Sequence, residues 1–354
     1  MKITLVTDAW TPQVNGVVRT LSTTVERLRA RGHEIQTVTP DMFRTAACPG
    51  YSEIRLALMP YKRLSRLIDD FQPEVVHIAT EGPLGWAARR WCGRNGRSFT
   101  TAFHTRFPEY VALRTGLPAS CFWPMLRRFH SGARAVLVAT PSLARELDEQ
   151  GIGNTRIWSR GVDFTQFGPD RRPHPALSNL PRPVLLSVGR VAVEKNLEVF
   201  LSAKVQGTKV VVGDGPALGA MRQRYPDALF LGALHGEELA AAYAAADVFV
   251  FPSLTDTFGL VMIEALASGA PVAGFPVRGP LDVLGPNGCG TGDGRSRPVG
   301  AVAPRIEDAI AEALRCAPED CVAYARRFSW DACVDQFMAA LTSGPEPVRW
   351  PAAA

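Results

Sequence analysis

The sequence predicts an α/β protein built from two doubly wound parallel-sheet domains, and three observations carry that prediction. The 354 residues exceed the roughly 100 to 200 of one ordinary domain. Short apolar runs alternate with helical-period stretches along the chain, the pattern of a parallel sheet covered on both faces. The rhythm then restarts near residue 183, after a stretch dense in proline and glycine.

The strands expected in the first domain are residues 3–7 (ITLVT), 34–39 (EIQTVT), 75–79 (VVHIA), 98–103 (SFTTAF) and 135–140 (AVLVAT). In the second they are 183–189 (PVLLSVG), 208–213 (TKVVVG), 228–232 (ALFLG), 247–253 (DVFVFPS) and 271–275 (PVAGF). The segment 160–183 is read as a linker. The domains are then 1–165 and 166–329, with a helix at about 330–342 returning onto the first and a Pro/Ala-rich tail at 343–354. The halves share a rhythm but no sequence repeat.

The N-terminal MKITLVTDAW has too short an apolar run before Asp8 for a secretory signal. No apolar stretch approaches the ~20 residues that cross a bilayer, so a cytoplasmic protein is expected. The seven cysteines form no C-x-x-C pair, which argues against a disulfide framework or a zinc site. Charge is uneven: residues 1–165 carry 22 Lys and Arg against 14 Asp and Glu, and the remainder 17 against 20. A basic first half suits an anionic partner, a membrane surface or nucleic acid, or is simply an arginine excess that keeps the protein soluble. No nucleic-acid recognition motif accompanies it.

Ligands of open α/β sheets bind at the carboxyl ends of strands, so the informative residues should follow strands. After the first strand, Asn15-Gly16 opens a helix running to about Arg31. Gly16 lets backbone N–H groups approach a phosphate or a second substrate, or serves only the turn. His104 follows the strand at 98–103, in a loop where a side chain would face a cleft, although a lone histidine is often structural. In SVGRVAVEKN, Arg190 and Lys195 supply two cations able to neutralise a diphosphate leaving group without Mg²⁺.

The most specific segment is 251–272, FPSLTDTFGLVMIEALASGAPV. A strand ends in a polar turn, Phe258-Gly259 start a helix, and Gly269 ends it. Asp256 can accept hydrogen bonds from sugar hydroxyls and Glu264 can grip a ribose diol. The N–H groups of Gly259, Leu260 and Val261 would face phosphates at the helix start.

These segments, with RGVDFTQFGP and VVGDGP, closely resemble glycosyltransferase family 4 over nearly the whole chain. The resemblance implies the GT-B fold, two Rossmann-like domains facing each other across a cleft. It also implies metal-independent transfer from a UDP- or GDP-sugar with retention, by front-face attack in which the departing phosphate oxygen helps to take the acceptor's proton. The likeness is strongest to bacterial lipid-linked members: diacylglycerol glucosyl, glucuronosyl and sulfoquinovosyl transferases and GDP-mannose-dependent mannosyltransferases. By position, Gly16 would border the diphosphate and His104 would contact the donor sugar. Arg190 and Lys195 would bind the diphosphate, Asp256, Phe258 and Gly259 the sugar, and Glu264 the ribose. The catalytic set is then His104, Arg190, Lys195 and Asp256, with no metal and no cofactor beyond the nucleotide-sugar. Most of the family has Glu where this chain has Asp256, one methylene shorter, which leaves the sugar open; UDP is slightly favoured over GDP.

The acceptor is expected on the first domain, beside Asn15. There the segment 121–130, CFWPMLRRFH, mixes Trp123 with Arg127 and Arg128, near Arg134. Such a mixture suits an interfacial helix on anionic lipid, with Arg89, Arg90, Arg94 and Arg97 completing a docking face; equally, it suits a helix packed on its own sheet. A lipid acceptor would make the protein peripheral at the inner face of the cytoplasmic membrane. Two other functions fit the fold: a sugar-nucleotide epimerase, and an inactive nucleotide-binding protein.

Overall fold

The computed structural model describes residues 1–13, 15–48, 51–104, 118–256, 258–290 and 297–342. The chain divides into two compact units, Met1–Ser159 together with the chain from Asp331 onward, and Arg160–Trp330. The expected tail lies outside the described residues.

In the N-terminal unit the strands are β1 (Lys2–Val6), β2 (Glu34–Val38), β3 (Thr45–Cys48), β4 (Tyr51–Ala57), β5 (Val75–Ile78), β6 (Phe99–Phe103), β7 (Val136–Val138) and β8 (Thr155–Ile157). Six of them form a parallel sheet in the order β2-β1-β5-β6-β7-β8, and β3 and β4 pair as an antiparallel hairpin. Its described helices are α1 (Gly16–Ala30), α2 (Tyr61–Phe71), α3 (Pro83–Arg94), α4 (Trp123–His130) and α5 (Pro141–Glu149). The first helix shows why such segments fold locally. Val18, Leu21, Val25 and Leu28 recur at helical spacing and are buried, the side-chain oxygen of Asn15 caps the amides of Val17 and Val18 at 3.0 Å each, and Gly32, at φ +81°, turns the chain away.

The C-terminal unit repeats the plan with β9 (Val184–Val188), β10 (Thr208–Val212), β11 (Leu229–Gly232), β12 (Val248–Phe251), β13 (Val272–Gly274) and β14 (Gly300–Val302), in the order β11-β10-β9-β12-β13-β14. Around them lie α6 (Leu197–Ser202), α7 (Leu218–Arg224), α8 (Gly236–Ala244), α9 (Leu260–Ala267), α10 (Arg278–Leu284), α11 (Ile306–Ala313) and α12 (Pro318–Ala325). The last described helix, α13 (Trp330–Thr342), belongs from Asp331 onward to the N-terminal unit. There Asp331 and Asp335 receive Arg27 of α1 and Arg31, which follows its last residue, and Phe337 packs on Trp158 with ring centroids 4.9 Å apart.

The stretch read from sequence as a linker is packed structure. Phe167 and Leu177 are fully buried, and the Val162 amide donates to the Phe328 carbonyl at 2.8 Å. Gly161 lies so close to the Trp330 ring that a Cβ would sit 2.5 Å from it. The second unit therefore begins at Arg160 rather than 166. Proline and glycine there fix turns within a folded surface, which composition alone cannot distinguish from a spacer.

The loops after β9 and β10 lie backbone on backbone. Gly213, at φ +143°, would place a Cβ 1.8 Å from the Gly189 carbonyl oxygen, and Gly215 would place one 2.4 Å from that of Val191. Hydrogen bonds from Gly189 N–H to Val212 O and from Val191 N–H to Asp214 O, both 2.9 Å, hold the approach. Gly213→Ala is therefore expected to destabilise the protein by about 2 kcal/mol or more. Gly219→Ala, in open space on α7, should be neutral or slightly stabilising. Urea midpoints of the two variants check this, and equal midpoints would mean the loops part without cost.

Candidate active site

An open parallel sheet leaves a crevice at the carboxyl ends of its strands where the strand order reverses. In the C-terminal unit that point lies between β9 and β12. From β9 the chain runs through Gly189 and Arg190 into a short 3-10 turn, Val193–Lys195. From β12 it runs through the turn that ends at Gly259 and enters α9. Asn196, in the left-handed conformation at φ +53°, donates its side-chain amide to the Pro252 carbonyl at 3.2 Å and ties the two loops together.

Across this junction the Lys195 ammonium donates to both carboxylate oxygens of Asp256, at 2.7 and 2.8 Å. The two side chains keep 27% and 21% of their surface exposed, so the pair sits at the surface of the site, open to a ligand. Gly259, at φ +86°, carries the chain into α9; a Cβ there would lie 2.9 Å from the Phe251 ring and from the Met262 methyl. The amides of Leu260 and Val261, at the start of the helix, have no carbonyl four residues back within it and carry its positive end. Phe258 is buried edge-on against Phe328, fixing the turn from beneath.

Lys195 and Asp256 are thus in contact, with Phe258, Gly259, Leu260 and Val261 following in one turn. Arg190 is exposed on the loop after β9. Glu264 is placed differently: it is 2% exposed and accepts a hydrogen bond from the buried Tyr243 hydroxyl at 2.9 Å. It lies in the interior against α8. Sequence reasoning missed Asn196 and Tyr243. An asparagine immediately before a helical run signalled the first, and nothing local signalled the second.

In the N-terminal unit the order reverses between β1 and β5. Asn15 is engaged as the cap of α1 and Gly16 is its exposed first residue. Asp8, directly after β1, occupies the junction. Its carboxylate accepts the Leu84 amide at 3.0 Å, the Thr80 hydroxyl at 3.0 Å and the Gly85 amide at 3.4 Å, capping α3 from another strand. Burial pushes its pKa up to about 6 against the pull of those hydrogen bonds, and the neighbouring charge of Glu81 adds to the rise.

His104 stands at the end of β6 and is 7% exposed. Its ring packs edge-on against Trp158 at 5.4 Å, so it is held against an aromatic wall; residues 105–117 lie outside the described residues. The segment at 121–130 follows the second of its two readings, a helix packed on its own sheet. Trp123 is buried and stacks on Phe103 with ring centroids 6.2 Å apart, whereas Arg127 and Arg128 are exposed on the opposite side of α4. Trp123 faces the core because the helix packs its apolar stripe on the sheet. The arginine group divides as well. Arg89 donates to the Phe129 and Ser131 carbonyls, Arg97 to that of Pro73, and Arg134 to that of Thr342. Arg90 and Arg94 instead lie over the Tyr61 ring of α2. Among the described residues no group of three or more His, Cys, Asp or Glu side chains could hold a metal ion, and no helix is long and apolar enough to cross a membrane.

Each unit is thus built on a doubly wound sheet, and the second carries a lysine, a carboxylate and a glycine-started helix at its switch point. Residues 14–166 match Glycosyltransferase Family 4 and residues 182–320 match Glycosyl transferases group 1. A GDP-mannose-dependent alpha-mannosyltransferase of Mycobacterium tuberculosis is 31% identical over 88% of this chain and 87% of its own length. The alpha-monoglucosyldiacylglycerol synthase of Streptococcus pneumoniae is 26% identical over 77% and 70%. Among solved structures, sucrose-phosphate synthase of Thermosynechococcus elongatus shares the fold with a TM-score of 0.74 at 21% identity, covering 95% of this chain and 97% of that one. The chain belongs to the GT-B glycosyltransferases of family 4 and is a glycosyltransferase.

The raised pKa of Asp8 has a measurable consequence. The folded state favours the neutral acid, so the associated stability is complete below about pH 4 and is lost as pH rises through about 6. The stability difference between wild type and Asp8→Asn should move in the variant's favour by about 2–3 kcal/mol between pH 4 and 7. A pH-independent difference in urea titrations would show that Asp8 titrates normally.

Proposed function

We propose that this glycosyltransferase moves a hexosyl unit, with retention, from a nucleotide-diphosphate sugar to a hydroxyl of a membrane lipid. The observation that carries the donor half is the meeting of Lys195, Asp256 and the start of α9 at the switch point of the C-terminal sheet. A diphosphate placed there has a lysine ammonium on one side and helix amides on the other, with the Arg190 guanidinium on the neighbouring loop. Cations and amides set before the reaction stabilise charge as it develops on the leaving phosphate. In this reading no metal and no cofactor beyond the nucleotide-sugar is required. Asp256 holds a sugar hydroxyl or hands Lys195 to the phosphate, and Gly16, His104 and Glu264 keep the roles that the family resemblance gives them.

The relative at 31% identity is named for GDP-mannose, which favours GDP over the UDP preferred from sequence alone. The diacylglycerol product in the name of the pneumococcal relative supports a lipid acceptor, and the excess of positive charge in residues 1–165 suits peripheral contact with the inner face of the cytoplasmic membrane. Both relatives are named for products or sugars that they transfer or build, which gives no support to an epimerase or an inactive binder.

A nucleotide-release assay across GDP-mannose, UDP-glucose, UDP-glucuronate and UDP-galactose, each with and without diacylglycerol, tests this reading. Release that depends on lipid and survives EDTA is expected; acceptor-independent turnover, or loss on chelation restored by Mg²⁺, would contradict it. Lys195→Ala and Arg190→Ala should each lower turnover by roughly 10²- to 10³-fold, and changes below threefold in both would remove the clamp.

A further inference from the structure

Immediately before α2, Met59 is 94% exposed and Leu58 is 53% exposed. Met59 has φ +47°, a conformation that a bulky side chain rarely adopts, and it holds an apolar group out in solvent. Lone exposed apolar residues are ordinary. Two consecutive ones at the tip of a basic helix are a different arrangement.

The first half of α2 carries Lys62, Arg63 and Arg66, all exposed, while Leu64 and Ile68 anchor the helix in the core. From α3, Arg90 lies 4.6 Å and Arg94 5.7 Å over the Tyr61 ring, which brings them to the same end. Among the described residues none of these five cations forms an ion pair, in contrast to Arg27 and Arg31, which are bound by Asp331 and Asp335. A groove of about 380 Å³ between the helices is lined by Lys62, Ser65, Arg66, Arg94 and Asn95, with Asp69 at its far end already accepting the Trp91 indole N–H at 3.0 Å. Asp69 and Asp70 lie in the second half of α2, away from Met59.

We infer that the Leu58-Met59 tip and the cations of α2 and α3 form the docking surface for an anionic lipid bilayer, an inference that takes its purpose from the proposed lipid acceptor. The apolar tip enters the acyl boundary, the cations meet lipid phosphates, and the groove, about 380 Å³ in volume, has room for a headgroup. Either contribution alone binds weakly, and the two together give reversible peripheral attachment. The apolar tip favours a bilayer over nucleic acid, since exposed Leu58 and Met59 have no counterpart in a phosphate backbone; single-stranded bases would find no open ring to stack on, because Tyr61 is covered by arginine and Trp91 is buried.

The test is sedimentation of the full chain with phosphatidylcholine vesicles, with and without phosphatidylglycerol, at low and high salt. Wild type should sediment with anionic vesicles only, and release at high salt. Each cation near such a surface is worth about fivefold in affinity, so Arg90→Ala with Arg94→Ala should weaken binding by at least tenfold. Met59→Asn, which suits the left-handed backbone, should weaken it severalfold. Arg127→Ala with Arg128→Ala, on α4, should change it little. Unaltered urea midpoints and donor hydrolysis establish that the variants are folded. Failure of wild type to bind, or loss only in the α4 variant, overturns the inference. Lipid glycosylation by variants that bind like wild type removes this surface and leaves the lipid acceptor standing. Vesicle binding lost in the tip variants by an enzyme that glycosylates only soluble sugars removes the acceptor and leaves the surface.

Discussion

Backbone lying on backbone at the carboxyl ends of β9 and β10 is the constraint on which the proposed donor site depends. A carbonyl oxygen of one loop occupies the space where any side chain at Gly213 would begin. Only glycine permits that approach, and the Gly189 and Val191 amides hold the loop leading to Lys195 to it. The second fixed point is Gly259, which admits the chain into α9 over the Phe251 ring. Between them the Asn196 bridge closes the two loops into one piece. Side-chain chemistry is then mounted on a frame that the backbone has already determined.

On that frame the Lys195–Asp256 pair acquires its meaning. A lysine close to a carboxylate is held where a phosphate is needed, yet its charge is partly neutralised by the group that holds it. Partial exposure of both side chains screens the attraction, so an arriving diphosphate can compete for the ammonium. The shorter aspartate fits this sharing: its carboxylate is drawn onto Lys195 at 2.7 and 2.8 Å, and in the proposed site Asp256 would act on the diphosphate through the lysine as well as on the sugar directly. The interior position of Glu264, bonded to Tyr243, gives that carboxylate one fixed orientation.

Sequence pattern conveyed the two sheets well because parallel strands buried on both faces read as apolar runs. It missed two three-residue edge strands, β8, with Arg156 and Ile157 exposed, and β14, and the β3–β4 hairpin, whose TAAC arm has no large apolar residue. The loop positions of Arg190, Lys195 and Asp256 were legible because strand ends are where ligands converge. Their contact was not, since the two loops lie far apart in sequence and meet only through sheet order. The placement of Trp123 stayed open between two readings for a related reason: composition shows that a helix is amphipathic but not which of its faces meets the sheet. Asp8 and Met59 escaped notice because a buried cap and an exposed tip look alike in one dimension.

The central claim is that Lys195 is the diphosphate cation and that Asp256 competes for it. Calorimetric titration of GDP and UDP into wild type, Lys195→Ala, Asp256→Asn and the double variant addresses this directly. The account predicts that Asp256→Asn tightens nucleoside diphosphate binding by roughly three- to tenfold while Lys195 is present, the scale of about 1 kcal/mol for a partly exposed pair, and does nothing once Lys195 is gone. An equal effect of Asp256→Asn in both backgrounds, or weaker binding in both, would contradict it.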